Sequence, residues 1–282
     1  MTQHQLSSQP GPGTVLRVTP EIAGWSVLDF AVTILGPGQT VTVEAAGREV
    51  AVVPQAGSFT ATVDGASYEL GRSDVFAEMA PVLYLPPGST VDLSSANGAE
   101  FATGGAPAEG RYPVRLFQPH EMKTEVRGGG GATRQVNHIL AHPLPAERLI
   151  LYEVYVPRGK WSGWPPHCHD GWEGSPYLEE TYYFRFDPAD GWGMHRNYRV
   201  DSEWNETFAV RDRDVVMVTQ GYHSSAASPG SHMYFLNYLA GTPQNEDRAI
   251  PPFFQPEYRW IDGNWDKDAM TLPAVTPEPG EE

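Results

Sequence analysis

Between 29 glycines and 26 prolines, a chain of 282 residues has little uninterrupted sequence left for helices. Proline lacks the amide proton and clashes with the preceding turn, and glycine costs a helix about 1 kcal/mol relative to alanine. What remains are short runs of alternating apolar and polar residues closed by Gly, Pro, Asn or Asp, the period-two pattern of strands with one buried face. Thr40 to Ala45, Phe59 to Val63, Val82 to Leu85, Leu149 to Val156, Thr181 to Phe186, Asp214 to Val218 and Met233 to Leu239 all read this way. The expected fold class is all-β.

Charge narrows the partners. With 19 Lys and Arg against 35 Asp and Glu, the formal net charge is −16, which repels a phosphate backbone, so nucleic acid is not an expected partner. The single cysteine, Cys168, excludes an intrachain disulfide framework and a cysteine-rich zinc site, and it fits a reducing compartment. The opening MTQHQLSSQPGPG has no basic segment followed by an apolar one, and no run of about 18 apolar residues occurs. A soluble, cytoplasmic protein with no membrane partner is expected. Residues 1–13 and the acidic, proline-rich residues 265–282 read as tails too polar to bury a core.

Two tandem, related β domains are expected between the tails. In both the Gly71 to Val91 segment and the Val210 to Ala226 segment, an acidic turn leads into a strand that ends at a glycine turn. The glycine run in Glu125 to Leu140, EVRGGGGATRQVNHIL, marks the divide. It gives domains over residues 14–120 and 121–264.

Chemistry concentrates in the second half. His167 and His169 lie in PPHCHD, Glu180 in YLEETYY and His223 in QGYH. Side chains alternate faces along a strand, so His167 and His169 share one face while Cys168 takes the other and is not a ligand. Three imidazoles and a carboxylate form a mixed donor set suited to zinc, manganese, iron, cobalt or nickel, with positions left open for substrate oxygens. No histidine lies between His4 and His120, so the first half lacks any such set.

His-x-His, then Glu, then a later His after a glycine turn resembles the double-stranded β-helix motif of cupins, and two such domains in one chain resemble a bicupin. Within that superfamily the runs YEVYVPRGKWSGWPPHCHD, YLEETYYFRFDPADGWG and DVVMVTQGYH are similar to the 5-deoxy-glucuronate isomerases of inositol catabolism, whose neighbours are the 4-deoxy-5-hexosulose-uronate ketol-isomerases of pectin breakdown. The likeness runs from about Val15 to Trp260 and is strongest from Glu153 to Ala240. It implies two tandem cupin (jelly-roll) domains and one divalent metal, zinc or manganese before iron, cobalt or nickel, held by His167, His169, Glu180 and His223. It also implies aldose–ketose isomerisation of a deoxy-uronate. Glu180 rather than Glu179 follows from its place before the residue-Tyr pair, although ten residues separate it from His169 where simple cupins have three or four.

Isomerisation needs a base that moves a proton between adjacent carbons. Strand alternation sets Tyr182 on the face of Glu180 and Tyr222 on the opposite one. Tyr182, Glu179 and a hydroxide on the metal remain alternatives for that base. A substrate carboxylate calls for cations. Arg158 and Lys160, in the loop leading to His167, are the preferred pair and Arg185 a further candidate, ahead of Arg196 and Arg199; Trp161, Trp164, Trp172 and Trp192 are candidates for the cavity wall. An iron-dependent cupin dioxygenase is the competing enzyme class, and exposed sheet edges leave room for a homo-oligomer.

Overall fold

The computed structural model describes residues 4–275; the outermost parts of both expected tails, residues 1–3 and 276–282, lie outside the described residues. Three sheets carry the structure. Strands from Gly13–Val18 to Arg115–Phe117 form a nine-stranded sheet. Its backbone is the sixteen-residue strand Arg48–Val63, which pairs with Val82–Leu85 near one end, with Ala66–Arg72 and Thr90–Ser95 near the other, and with Ala99–Pro107 along its length. A register shift between Pro54 and Ala56 lets this strand bend as the sheet wraps. Inside lies an apolar cluster that includes Val52, Phe59, Leu83, Leu85, Val91, Leu93 and Phe101.

From Lys123 onward the chain builds a five-stranded sheet and six strands of a seven-stranded one. Three neighbouring strands of the larger sheet, Leu178–Asp187, Asp214–Val218 and His232–Gly241, are buried on both faces. Their side chains sort by parity. Tyr182, Phe184, Phe186, Val216, Val218, Met233 and Phe235 fill the interior of the second domain. Tyr183, Val215, Met217, Tyr234, Leu236 and Tyr238 belong instead to the largest cluster, which they share with Val18, Phe30, Ala51, Val53 and Tyr84 of the first domain. The largest core is therefore the seam between the halves, and the near-continuous apolar runs of these strands follow from covering both faces.

Carboxylates tie the same seam through backbone amides. Glu49 accepts from the N–H groups of Glu147, Arg148 and Leu149 at 2.6–2.7 Å. Glu147 reaches back to Glu109, Gly110 and Arg111 at 2.7–2.8 Å. Each carboxylate meets three consecutive donors, which satisfies charge and loop backbone together without a counter-ion.

Two expectations about the ends change. Gln5–Ser7 is a strand, antiparallel to Asp214–Val216 at the edge of the seven-stranded sheet, and Asp214 accepts from Gln5 Nε2 at 3.0 Å and Ser7 Oγ at 2.6 Å. A polar segment has no core to bury, but it satisfies an edge strand's free amides and carbonyls, so low hydrophobicity alone does not make it a tail. At the other end Trp265 packs on Gly129, where an added Cβ would come 2.4 Å from the indole. The second tail thus begins as a strap folded against the glycine run.

Candidate metal centre and its cavity

Three strands from two sheets bring the donors together. Trp161–Cys168 carries His167, with His169 just beyond its end, and pairs antiparallel with Tyr222–Ala227 so that His167 and His223 are direct cross-strand partners. The register slips between Ser162 and His167, and this irregular stretch contains Gly163 at φ +67°. A Cβ there would press within 3.3 Å of the His223 carbonyl and 3.6 Å of the His167 ring, so glycine lets the two strands close on each other. Glu180 comes from the facing seven-stranded sheet.

The ligating atoms of His167, His169 and His223 all lie within 4.8 Å of one another. Glu180 Oε2 is 2.8 Å from His169 Nε2 and 3.3 Å from His223 Nε2. His169 Nδ1 donates to the Leu178 carbonyl at 2.8 Å, which leaves Nε2 with the lone pair and turns it toward the centre. A lone pair facing a carboxylate at that distance needs a cation or a proton between them. Apart from the 3.3 Å approach of Glu180 to His223 Nε2, both nitrogens of His223 and Nδ1 of His167 are buried without a hydrogen bond, a rare and costly state for imidazole nitrogens. The donor set, three nitrogens and one oxygen, fits a divalent first-row cation. Burial and the neighbouring imidazoles push His167 well below the usual histidine range, and burial also lowers His223. Burial acts the same way on His169, but the Glu180 carboxylate outweighs it and raises that group. Glu180 itself is lowered against the effect of burial by its two histidine contacts.

His167, His169 and Glu180 line a cavity of about 130 Å³, whose walls also include Tyr152, Tyr182, Phe235, Asn237, Arg127, Arg134 and Arg248; His223 is fully buried behind them. With a water's share of liquid near 30 Å³, the space suits one small molecule and little solvent. Tyr182 stands where strand parity set it, and burial followed by the charge of Glu180 keeps its phenol protonated far above the ordinary range. Tyr222 points away and clusters with Cys168 and Tyr198. Behind His223 a further buried histidine, His195, is held by Ser225 Oγ and Asn197 Oδ1, each at 2.8 Å, so both its nitrogens are occupied. Burial lowers it to about 3 and keeps it neutral, and with both nitrogens hydrogen-bonded it serves as packing rather than a ligand.

The KduI/IolB family profile matches residues 1–261. The chain is 39% identical to the 5-deoxy-glucuronate isomerase of Geobacillus kaustophilus over 234 residues, 81% of this chain and 85% of that one. The chain belongs to the KduI/IolB family. An IolB-like protein from Salmonella typhimurium LT2, known from its crystal structure, superimposes with a TM-score of 0.86 at 34% identity, covering 92% of this chain and 99% of the other. The oxalate decarboxylase of Lactobacillus farciminis shares the fold alone, with a TM-score of 0.65 at 12% identity over 99% of this chain and 95% of its own. The all-β architecture is that of two tandem cupin domains.

In this KduI/IolB member several residues singled out from sequence stand away from the cavity. Glu179 faces the first domain, where its carboxylate accepts from the N–H groups of Ser26, Val27 and Leu28 at 2.7–2.8 Å. It joins the halves and is not a base at the site. Arg185 lies on that same outward face and pairs with Asp212 at 3.0 Å, near Glu100. Arg158 is exposed in the turn before the His167 strand, and Lys160 Nζ donates to the Gly130 carbonyl at 2.8 Å. Six residues separate Lys160 from His167, roughly 20 Å of strand, so closeness in sequence placed them at the wrong end. Trp161 and Trp192 are exposed on the outer face, and neither they nor Trp164 or Trp172 line the cavity. Arg196 stacks on Tyr198 and Arg199 pairs with Asp170 and Asp201. The cationic lining comes instead from Arg127, Arg134 and Arg248. The first two flank the glycine run that sequence reading used only as a boundary; a hairpin around it, with alternation, would have set both on one face.

Proposed function

We propose that this protein is a metal-dependent aldose–ketose isomerase that converts 5-deoxy-D-glucuronate to 5-dehydro-2-deoxy-D-gluconate, acting in the cytoplasm in inositol catabolism. The observation that carries the reading is the convergence of His167, His169, His223 and Glu180 on one another beside a small cavity. Family membership, and relatives named 5-deoxy-glucuronate isomerase, supply the substrate. Zinc or manganese is the expected metal; when bound, it would polarise the sugar carbonyl and take up negative charge that develops on the neighbouring oxygens, worth several kcal/mol in a dry site.

The chain's own groups do the rest. His169, fixed by Leu178, and His223, buried behind it, hold the donor geometry. Tyr182 lines the cavity beside Glu180 and, with its phenol held protonated, serves as the donor to the sugar oxygens while a proton moves between C2 and C1. Asn237, held through Nδ2 to the Thr181 carbonyl at 3.2 Å, orients sugar hydroxyls, and Phe235 and Val154 exclude water.

The test is an assay of metal-replete protein against 5-deoxy-glucuronate and against 4-deoxy-5-hexosulose-uronate, run without oxygen. Turnover of the first with at least tenfold preference is expected, and reaction in deuterated water should label C1 of the product. No turnover of either sugar, or an obligatory oxygen requirement, contradicts the reading.

A further inference from the structure

The three arginines that line the cavity are not equivalent, and their bonding separates them. Arg127 leans on Glu125, donating from Nε at 2.6 Å, and that carboxylate also collects Lys123 at 2.8 Å and His138 at 2.7 Å. Its charge is already balanced. Arg248 is largely committed to backbone: Nε donates to Asn245, Nη1 to Leu140 and Leu149, and Nη2 to Leu144, all backbone carbonyls at 2.5–3.3 Å. It fixes the loops around it and, with four of its five N–H groups committed, has a single Nη2 N–H left to offer. Arg134 differs from both. Among the described residues, its guanidinium makes one hydrogen bond, from Nη1 to the Ala132 carbonyl at 3.2 Å, its Nε is buried without a partner, and no carboxylate lies within 4.0 Å of it.

Backbone design around Arg134 points the same way. Arg134 pairs directly across from Arg127 in the hairpin Lys123–His138, so both side chains share the face that carries Val136 into the cavity wall. Gly128, at φ +74°, sits against the Arg134 guanidinium: an added Cβ would fall 2.7 Å from Nη1 and 2.3 Å from the Ala132 carbonyl. The glycine turn thus clears the space in which the guanidinium lies. Burial, and then the neighbouring Arg127, push Arg134 down to about 10, the mark of a cation without its counter-charge.

We propose that Arg134 receives the substrate's carboxylate through its terminal nitrogens, while the carbonyl end of the same sugar acid faces His167, His169, His223 and Glu180. This rests on the isomerase reading and adds to it what the site selects: an open-chain sugar bearing a carboxylate at the end opposite its carbonyl, in preference to the neutral sugar. A planar fork matches a carboxylate in two parallel bonds, which an ammonium does not.

The experiment compares the metal-loaded wild type with Arg134→Leu, Arg134→Lys and Arg127→Ala, on 5-deoxy-glucuronate and on 5-deoxyglucose, its uncharged hydroxymethyl counterpart. Charge-assisted hydrogen bonds contribute about 1.5–3 kcal/mol, so Arg134→Leu should raise KM for the acid roughly 10- to 150-fold. Its kcat should stay within about threefold, its metal content should be unchanged, and its kinetics on the neutral sugar should match the wild type. Arg134→Lys should recover part of the loss, and Arg127→Ala should raise KM by less than about threefold because Glu125 already holds that charge. An unchanged KM for the acid in Arg134→Leu, or an equal loss on both sugars, overturns the proposal. If the wild type turns over neither sugar, the isomerase reading fails by itself; calorimetric binding of 5-deoxy-glucuronate to wild type and Arg134→Leu then decides. Affinity that depends on Arg134 sustains the carboxylate site, and equal or absent binding removes it.

Discussion

The two domains share an architecture and differ in what they enclose. The first packs Val52, Phe59, Leu83, Leu85, Val91, Leu93 and Phe101 into an apolar interior. The second is apolar at one end, around Phe184, Phe186, Val210 and Met233, and at the other replaces core residues by His167, His169, Glu180 and Asn237 around a cavity, with His223 buried behind them. A reactive site sacrifices packing and leaves polar groups unpaired, both of which destabilise. The closed domain offsets this by covering the outer face of the strands that carry Glu180 and Tyr182 and by burying the largest core against them. One domain holds the chemistry while the other holds it still.

That division can be broken from either side. Tyr182→Phe should have the largest effect on turnover: loss of the hydroxyl should lower kcat about 10²- to 10⁴-fold with metal retained, measured by steady-state kinetics and metal analysis. A wild-type kcat would remove Tyr182 from the proton path. On the structural side, Phe101→Ala should cost about 3–5 kcal/mol in denaturant unfolding, with kcat/KM unchanged while the protein stays folded. Should activity fall before stability does, the first domain takes part in the chemistry.

Glu179→Gln sharpens the boundary between the roles. The amide accepts fewer of the donations from Ser26, Val27 and Leu28 and turns its own N–H groups on the rest, so stability should drop by about 1–3 kcal/mol while kcat at 25 °C is preserved. A collapse of kcat at unchanged stability would restore Glu179 as the base. The smallest effect belongs to Arg158→Ala and Lys160→Ala, within about 0.5 kcal/mol in stability and without change in KM; a tenfold rise in KM would place the turn at the substrate.

Much of the second domain was legible because strand alternation is a local rule. It separated His167 and His169 from Cys168, and Tyr182 from Tyr222, and the structure shows those pairs on opposite faces. Applied to Arg185, the same parity would have set it outward with Glu179. Long-range pairing was not legible. Glu179 finds its donors more than 150 positions earlier, and Gln5–Ser7 finds an edge more than 200 positions later. No local pattern encodes either, since the partners are backbone groups that any sequence carries. Arg134 was missed for a related reason: a guanidinium becomes a candidate only when its neighbours fail to satisfy it, and that is a property of the folded surroundings.

The most direct measurement is the metal-to-chain ratio of the purified protein and of His167→Ala and His223→Ala, by elemental analysis alongside circular dichroism. A ratio near one in the wild type and near zero in both variants, with β-sheet spectra unchanged, is the predicted result. Full metal in either variant, or two metals per wild-type chain, would contradict a single centre built from the second domain's histidines.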